Sequence, residues 1–189
     1  MDEFNKGEFE RHSEINGTIT ALPQSIEILK EVDLSDRGVS ILYQDYLDDM
    51  RTLFSPRDEG DKRAIALARA LGSEVVITYD IKSNGPYNRV NTGLCGDLIA
   101  LSTTDLLCLQ YIGCNISITD IKSTYEQIAM NAYEEGEAPA LKGRVKLFLK
   151  WIVYSEEPFI QRWFKQWIEE NDVNKSLIGK LAFEAKNFL

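Results

Sequence analysis

The stretch Asp58-Glu59-Gly60-Asp61-Lys62-Arg63-Ala64-Ile65-Ala66-Leu67-Ala68-Arg69-Ala70-Leu71-Gly72-Ser73-Glu74-Val75-Val76-Ile77-Thr78-Tyr79-Asp80-Ile81-Lys82 decides the reading of the fold. Ala64, Leu67, Ala68 and Leu71 recur at i, i+3, i+4 and i+7, which predicts one apolar stripe on a helix. The acids around Gly60 mark its start, because Asp suits both an N-cap and the positive end of a helix. Gly72 follows the last periodic residue, where a left-handed cap favours a residue without Cβ. Val75-Val76-Ile77 is a short β-branched run and predicts a strand covered on both faces. A helix that returns so soon into such a strand is one αβ step of an α/β sheet. Ligands of open parallel sheets bind beyond the carboxyl ends of the strands, where Asp80 is expected.

Upstream, Met1 to Asn16 is polar and without period, and reads as an arm. Gly17 to Leu22 alternates and predicts a strand. Pro23 opens a helix through Val32. Asp33 to Arg37 reads as a turn, Val39 to Tyr43 as a second strand, and Tyr46 to Phe54 as a helix with Tyr46, Leu47, Met50 and Phe54 on one side. Downstream, Ser83 to Val90 is rich in turn formers and predicts a loop. Gly96 to Leu101 predicts a strand. Ser102-Thr103-Thr104 caps a helix from Asp105 to Tyr111, and Thr119-Asp120 caps another to about Tyr133.

The composition shifts at Glu134–Leu141. The expected organisation is therefore an arm over 1–16, an α/β domain over 17–133 and a helical extension over 134–189. The extension holds helices at Gly143–Tyr154, Pro158–Asn171 and Lys175–Phe188.

The chain has 189 residues, of which 44% are hydrophobic, enough for one domain with a real core. No apolar run reaches the ~20 residues of a membrane helix, and the first residues lack a secretory pattern. A cytoplasmic protein is the expectation. Cys95, Cys108 and Cys114 lack Cys-x-x-Cys spacing and read as free buried thiols. His12 is the single histidine, which argues against Ser-His-Asp and Cys-His catalysis and against a His-rich metal site. The net charge of −9 is uneven. Residues 1–61 hold 6 Lys/Arg against 15 Asp/Glu, residues 62–140 hold 6 against 9, and residues 141–189 hold 9 against 6. An acidic body does not invite nonspecific nucleic-acid binding, but the basic tail leaves room for a local contact.

Asp61 opens the helix and Asp80 follows the strand, 19 residues on. A helix of about three turns can return the chain to the same sheet edge, so that both carboxylates face one cleft. Clustered carboxylates without histidine suit a hard cation, Mg2+ or Mn2+, which activates water and stabilises in-line phosphoryl displacement. The plainer alternative is that Asp61 is an N-cap residue and Asp80 a turn former.

The run Gly60-Asp61-Lys62-Arg63-Ala64-Ile65-Ala66-Leu67-Ala68 followed by Val75-Val76-Ile77-Thr78-Tyr79-Asp80 resembles the central segment of PIN-domain proteins. Ile19 to Ile26 is similar to that family's strand, proline and helix, and Asp97 to Leu107 to its later strand and helix. The resemblance covers about Gly17 to Met130. It implies a three-layer αβα domain with a central, mostly parallel sheet, divalent metal, and RNA cleavage by a cluster of about four acids, as in toxin-like ribonucleases. Asp61 and Asp80 match the third and fourth acids. Glu27 and Glu31 stand in the helix that should carry the second. The family's first acid ends an N-terminal strand, and no stretch of Met1–Asn16 has that form. An alternative function is therefore a catalytically inactive PIN-like scaffold that works as a protein-binding or regulatory module.

Lys142, Arg144, Lys146 and Lys150 lie among Phe148, Trp151, Trp163 and Trp167. Basic and aromatic residues together can hold single-stranded nucleic acid. The same spacing equally describes a core face with a wet basic side, or a protein interface built on the tryptophans.

Overall fold

The alternation of Ile99-Ala100-Leu101 between two hydrogen-bonding directions explains the sheet. The computed structural model describes residues 31–56, 58–82, 84–132 and 138–187. It divides into two units, Met1–Ser40 and Ile41–Leu189. In the second unit β1 (Val75–Ile77) pairs in parallel with β2 (Ile99–Leu101), in the register Val75 to Ile99, Val76 to Ala100 and Ile77 to Leu101. Ile99 N–H bonds the Glu74 carbonyl at 2.9 Å, and Thr78 N–H bonds the Leu101 carbonyl at 3.0 Å. Ala100 therefore turns its backbone groups to the other edge. There the buried Asn91 side chain donates to the Ala100 carbonyl and accepts the Ala100 N–H, both at 2.9 Å. One side-chain amide supplies both bonds that a third strand would make at this residue.

Everything else described is helical or irregular. The helices are α1 (Glu31–Asp36), α2 (Ser40–Leu53), α3 (Glu59–Ala70), α4 (Pro86–Arg89), α5 (Thr103–Ile112), α6 (Ile118–Ala132), α7 (Leu141–Phe148), α8 (Pro158–Glu170) and α9 (Ser176–Asn187). Widened helical turns continue α4 through Val90–Leu94 and α7 through Leu149–Val153. Two short strands among so many helices, with no central multi-stranded sheet among the described residues, correct the expected three-layer αβα architecture.

Several local expectations change with it. The predicted strand at Gly17–Leu22 and most of the helix after Pro23 lie outside the described residues. The expected turn at Asp33–Arg37 is largely α1, which ends where Val39 N–H bonds the Leu34 carbonyl at 2.9 Å around Gly38 at φ +70°. The expected strand at Val39–Tyr43 is the first turn of α2. Tyr43, Leu47, Met50 and Phe54 recur at helical spacing and are buried, so packing outweighs the β-branched start. Ser83–Val90 is not all loop: Pro86 sits in the first turn of α4, whose Arg89 guanidinium donates to the Leu53 carbonyl at the end of α2.

Helix α3 forms where expected but buries a different face. Ile65, Ala66 and Ala68 are buried, whereas Ala64 and Leu71 are exposed. The Gly72 cap is as read: φ is +68°, and Gly72 and Ser73 N–H groups bond the Arg69 and Ala68 carbonyls at 3.1 and 2.8 Å. Strand β1 is covered less than expected, with Val75 and Val76 half-buried and Ile77 exposed. Cys95 and Cys108 are buried free thiols, whereas the third free thiol, Cys114, is exposed.

The core runs from β2 through α5 into the C-terminal helices. Helix α5 packs against α7 and α9, and Val145, Phe148, Ile152, Ile160 and Leu181 are fully buried in one cluster with Ile99, Cys108 and Ile112. Helices α7 to α9 thus complete the hydrophobic cover of β2 and α5. Among the described residues no helix is long and apolar enough to cross a membrane.

Asn91→Ala strands the buried N–H and C=O of Ala100. It is expected to lower the unfolding free energy by about 2–4 kcal/mol, read as a reduced urea midpoint at unchanged slope.

Candidate functional site

The carboxyl ends of β1 and β2 open onto residues 78–82, onto Asn84 and Gly85, and onto the start of α5. Thr78 ends the β1 ladder, and its buried hydroxyl donates to Asp61 Oδ1 at 2.9 Å. The Thr78 hydroxyl oxygen itself accepts the Asp80 N–H at 3.2 Å. Asp80 Oδ1 accepts the Lys82 N–H at 3.1 Å, and the Asp80 carbonyl accepts the Tyr87 N–H at 3.2 Å. Gly85 lies against this carboxylate: a Cβ there would stand 2.5 Å from Asp80 Oδ1, so any side chain would displace it. The Thr78 hydroxyl thus links the Asp61 carboxylate to the backbone of Asp80. Sequence spacing missed Thr78, the group that joins them.

Asp61 does not cap α3. The cap position is Asp58, whose side chain makes no capping bond, and Asp61 lies in the first turn. Burial pushes the Asp61 carboxyl above its usual value; the Thr78 hydroxyl pulls it back, and the charges of Asp80 and Asp58 push it further up. Nearby Glu59 is held below the usual range, first by its bond to Lys62, which it meets at 3.0 Å. The α3 end is therefore a place where negative charge accumulates, with Lys62 committed to Glu59.

Two carboxylates give a hard cation two oxygen donors, and Mg2+ is commonly held by one or two carboxylates completed by water and substrate phosphates. By donor chemistry alone, two carboxylates are of the kind that such an ion takes. Among the described residues no group of three or more His, Cys, Asp or Glu is placed to hold a metal ion. Glu27 lies outside the described residues, and Glu31 opens α1 in the other unit.

A recess of about 20 Å3, room for roughly one water, is lined by Tyr79 and Ile81, the chain neighbours of Asp80, with Ser102, Thr104, Tyr125 and Arg144. Beneath it lies a buried polar cluster. Asp105 and Ser102 form a capping box: Asp105 Oδ2 accepts the Ser102 N–H at 2.6 Å, and Ser102 Oγ accepts the Asp105 N–H at 3.3 Å. Burial pushes Asp105 up to about 6, against the pull of Ser102, Tyr87 and Arg144. The Tyr87 hydroxyl lies beside Asp105, without a partner at hydrogen-bonding geometry among the described residues, and burial, then that negative charge, pushes the phenol well up. The run Ser102-Thr103-Thr104 signalled a cap, which is Ser102, so that the helix starts at Thr103 and not at the expected Asp105; nothing in the sequence signalled that Tyr87 and Arg144 surround it.

The basic tail does not form one surface. Arg144 is buried beside Asp105. The half-buried Lys142 donates to the Lys186 carbonyl at 2.7 Å. Lys146 and Lys150 reach solvent, Lys150 with its ammonium 4.4 Å from the Trp151 ring centre. Phe148 is core, and Trp163 and Trp167 pack on it partly buried, with Trp167 stacked on Phe164. The aromatic residues serve mainly as cover for the helices. No protein-family model, curated protein or solved structure matches the chain.

An acid whose folded value lies above its unfolded one stabilises the fold most at low pH and loses that contribution as pH rises. The unfolding free energy of the wild type relative to Asp105→Asn should therefore fall by roughly 3 kcal/mol between about pH 3 and pH 7, measured by urea unfolding across that range. Asp61→Asn removes a crowded charge, so at pH 7 without divalent cation its thermal midpoint should rise above that of the wild type.

Proposed function

We propose that the chain is a metal-dependent nuclease that hydrolyses RNA phosphodiesters, with Asp61 and Asp80 as the carboxylates that hold Mg2+ or Mn2+. The observation that carries this reading is the Thr78 hydroxyl, which ties Asp61 to the loop of Asp80 at the carboxyl edge of two parallel strands. The resemblance of these two segments to PIN-domain proteins supports it, as does the upward pressure on Asp61, which a bound cation would relieve. The ion would activate a water and neutralise charge on the phosphate. The chain's own part is to hold two carboxylates in fixed relation and to keep Asp80 against Gly85. Of Lys142, Arg144, Lys146 and Lys150, the two exposed ones, Lys146 and Lys150 on the α7 segment, are available to an RNA backbone. Three free thiols agree with a reducing, cytoplasmic setting.

A second reading, a binding or regulatory module without catalysis, is favoured by the number of acids: the described residues supply two together, not the four that the resemblance implies. In this reading the C-terminal helices provide the protein-binding face.

Cleavage of a labelled single-stranded RNA in Mn2+ by the purified chain separates the two. The nuclease reading expects cleavage that falls on the order of a hundredfold in Asp80→Asn. Equal cleavage by both proteins, or none by either, removes it and leaves the binding module.

A further inference from the structure

Asp105 is the one buried carboxylate among the described residues, and the proposed chemistry does not use it. Its bonding reaches the acid pair nonetheless. The Ser102 N–H that it accepts at 2.6 Å belongs to the same planar peptide unit as the Leu101 carbonyl. That carbonyl accepts the Thr78 N–H at 3.0 Å. Thr78 in turn gives its hydroxyl to Asp61 and takes the Asp80 N–H. A carboxylate on the N–H of a peptide polarises that peptide and makes its carbonyl a stronger acceptor. The groups that face Asp105 are Tyr87 from α4, Cys108 from α5 and Arg144 from α7. They hold it from three helices.

We propose that Asp105 is a positioning residue for the Asp61–Asp80 pair, acting through the Leu101–Ser102 peptide and Thr78. This rests on the acid-pair reading for its functional meaning, but the relay itself is a property of the fold. It makes the placement of two half-exposed acids depend on a charge buried on α5. Burial brings Asp105 up to about 6, so the relay keeps its charged anchor at neutral pH and weakens in mild acid. The helices of the C-terminal half, through Arg144 on α7, thereby bear on the site.

The test is amide hydrogen exchange by NMR on the full chain at pH 7.5, with Mn2+ affinity measured by electron paramagnetic resonance on the same samples. In Asp105→Ala, exchange at Thr78 should rise roughly tenfold more than at Phe164, which lies in α8 away from the relay. Mn2+ affinity should fall about three- to tenfold. Asp105→Asn keeps an acceptor oxygen and should lie between, and it decides the matter if the alanine variant does not fold. Protection at Thr78 that follows Phe164 in a folded variant overturns the relay. Wild type that holds no Mn2+ defeats the acid-pair reading instead, and the Thr78 exchange rate then decides the relay alone.

Discussion

The paired hydrogen bonds between the Asn91 side chain and Ala100 are the constraint on which the sheet depends. Strand β2 is buried throughout, so every backbone group it carries needs a partner. Strand β1 satisfies the groups of Ile99 and Leu101. Without Asn91 the outward groups of Ala100 would be buried and unpaired, and a strand of three residues cannot absorb that penalty. With it, β2 is fixed in the core, β1 is fixed by β2, and Thr78 is fixed by Leu101. The site at the strand ends inherits its geometry from this sequence of bonds.

A second polar arrangement ties the halves of the molecule together. Asp105 begins α5 inside the protein, and Arg144 approaches from α7. Burying such a group is costly unless it is bonded, so α5 and α7 have little freedom to slide past each other. The apolar cluster of Phe148, Ile152, Ile160 and Leu181 supplies most of the cohesion there. The polar group supplies the registration. This is why the composition shift at Glu134–Leu141 does not separate two hydrophobic cores.

The parts of the fold that were legible are those where local chemistry and final environment agree. Gly72 ends α3 because the left-handed conformation is cheap for glycine alone, and no tertiary contact is needed to say so. Ser102 with Asp105 begins α5 for a similarly local reason. The misread parts are those where a second surface decides. Val39–Tyr43 has strand-like residues, but a helical stripe ending in Phe54 finds a core to enter. In α3 the stripe of Ala64, Leu67, Ala68 and Leu71 competes with Ile65 and Ala66 one position away, and the neighbouring elements choose the latter. The three-layer sheet failed as an expectation because strand propensity in a segment does not tell how many strands will pair.

By itself, then, the sequence determined the local turns: the start and end of α3, the cap of α5 and the run of β1. These follow from backbone sterics and from bonds spanning a few residues. Only the tertiary structure decided that Thr78 joins the two acids, that Asn91 takes the place of a neighbouring strand, and that Arg144 lies buried against Asp105 and not on a basic surface. Each of those outcomes pairs groups far apart in the chain, and such a pairing depends on which surfaces exclude water together, a property of the packed whole.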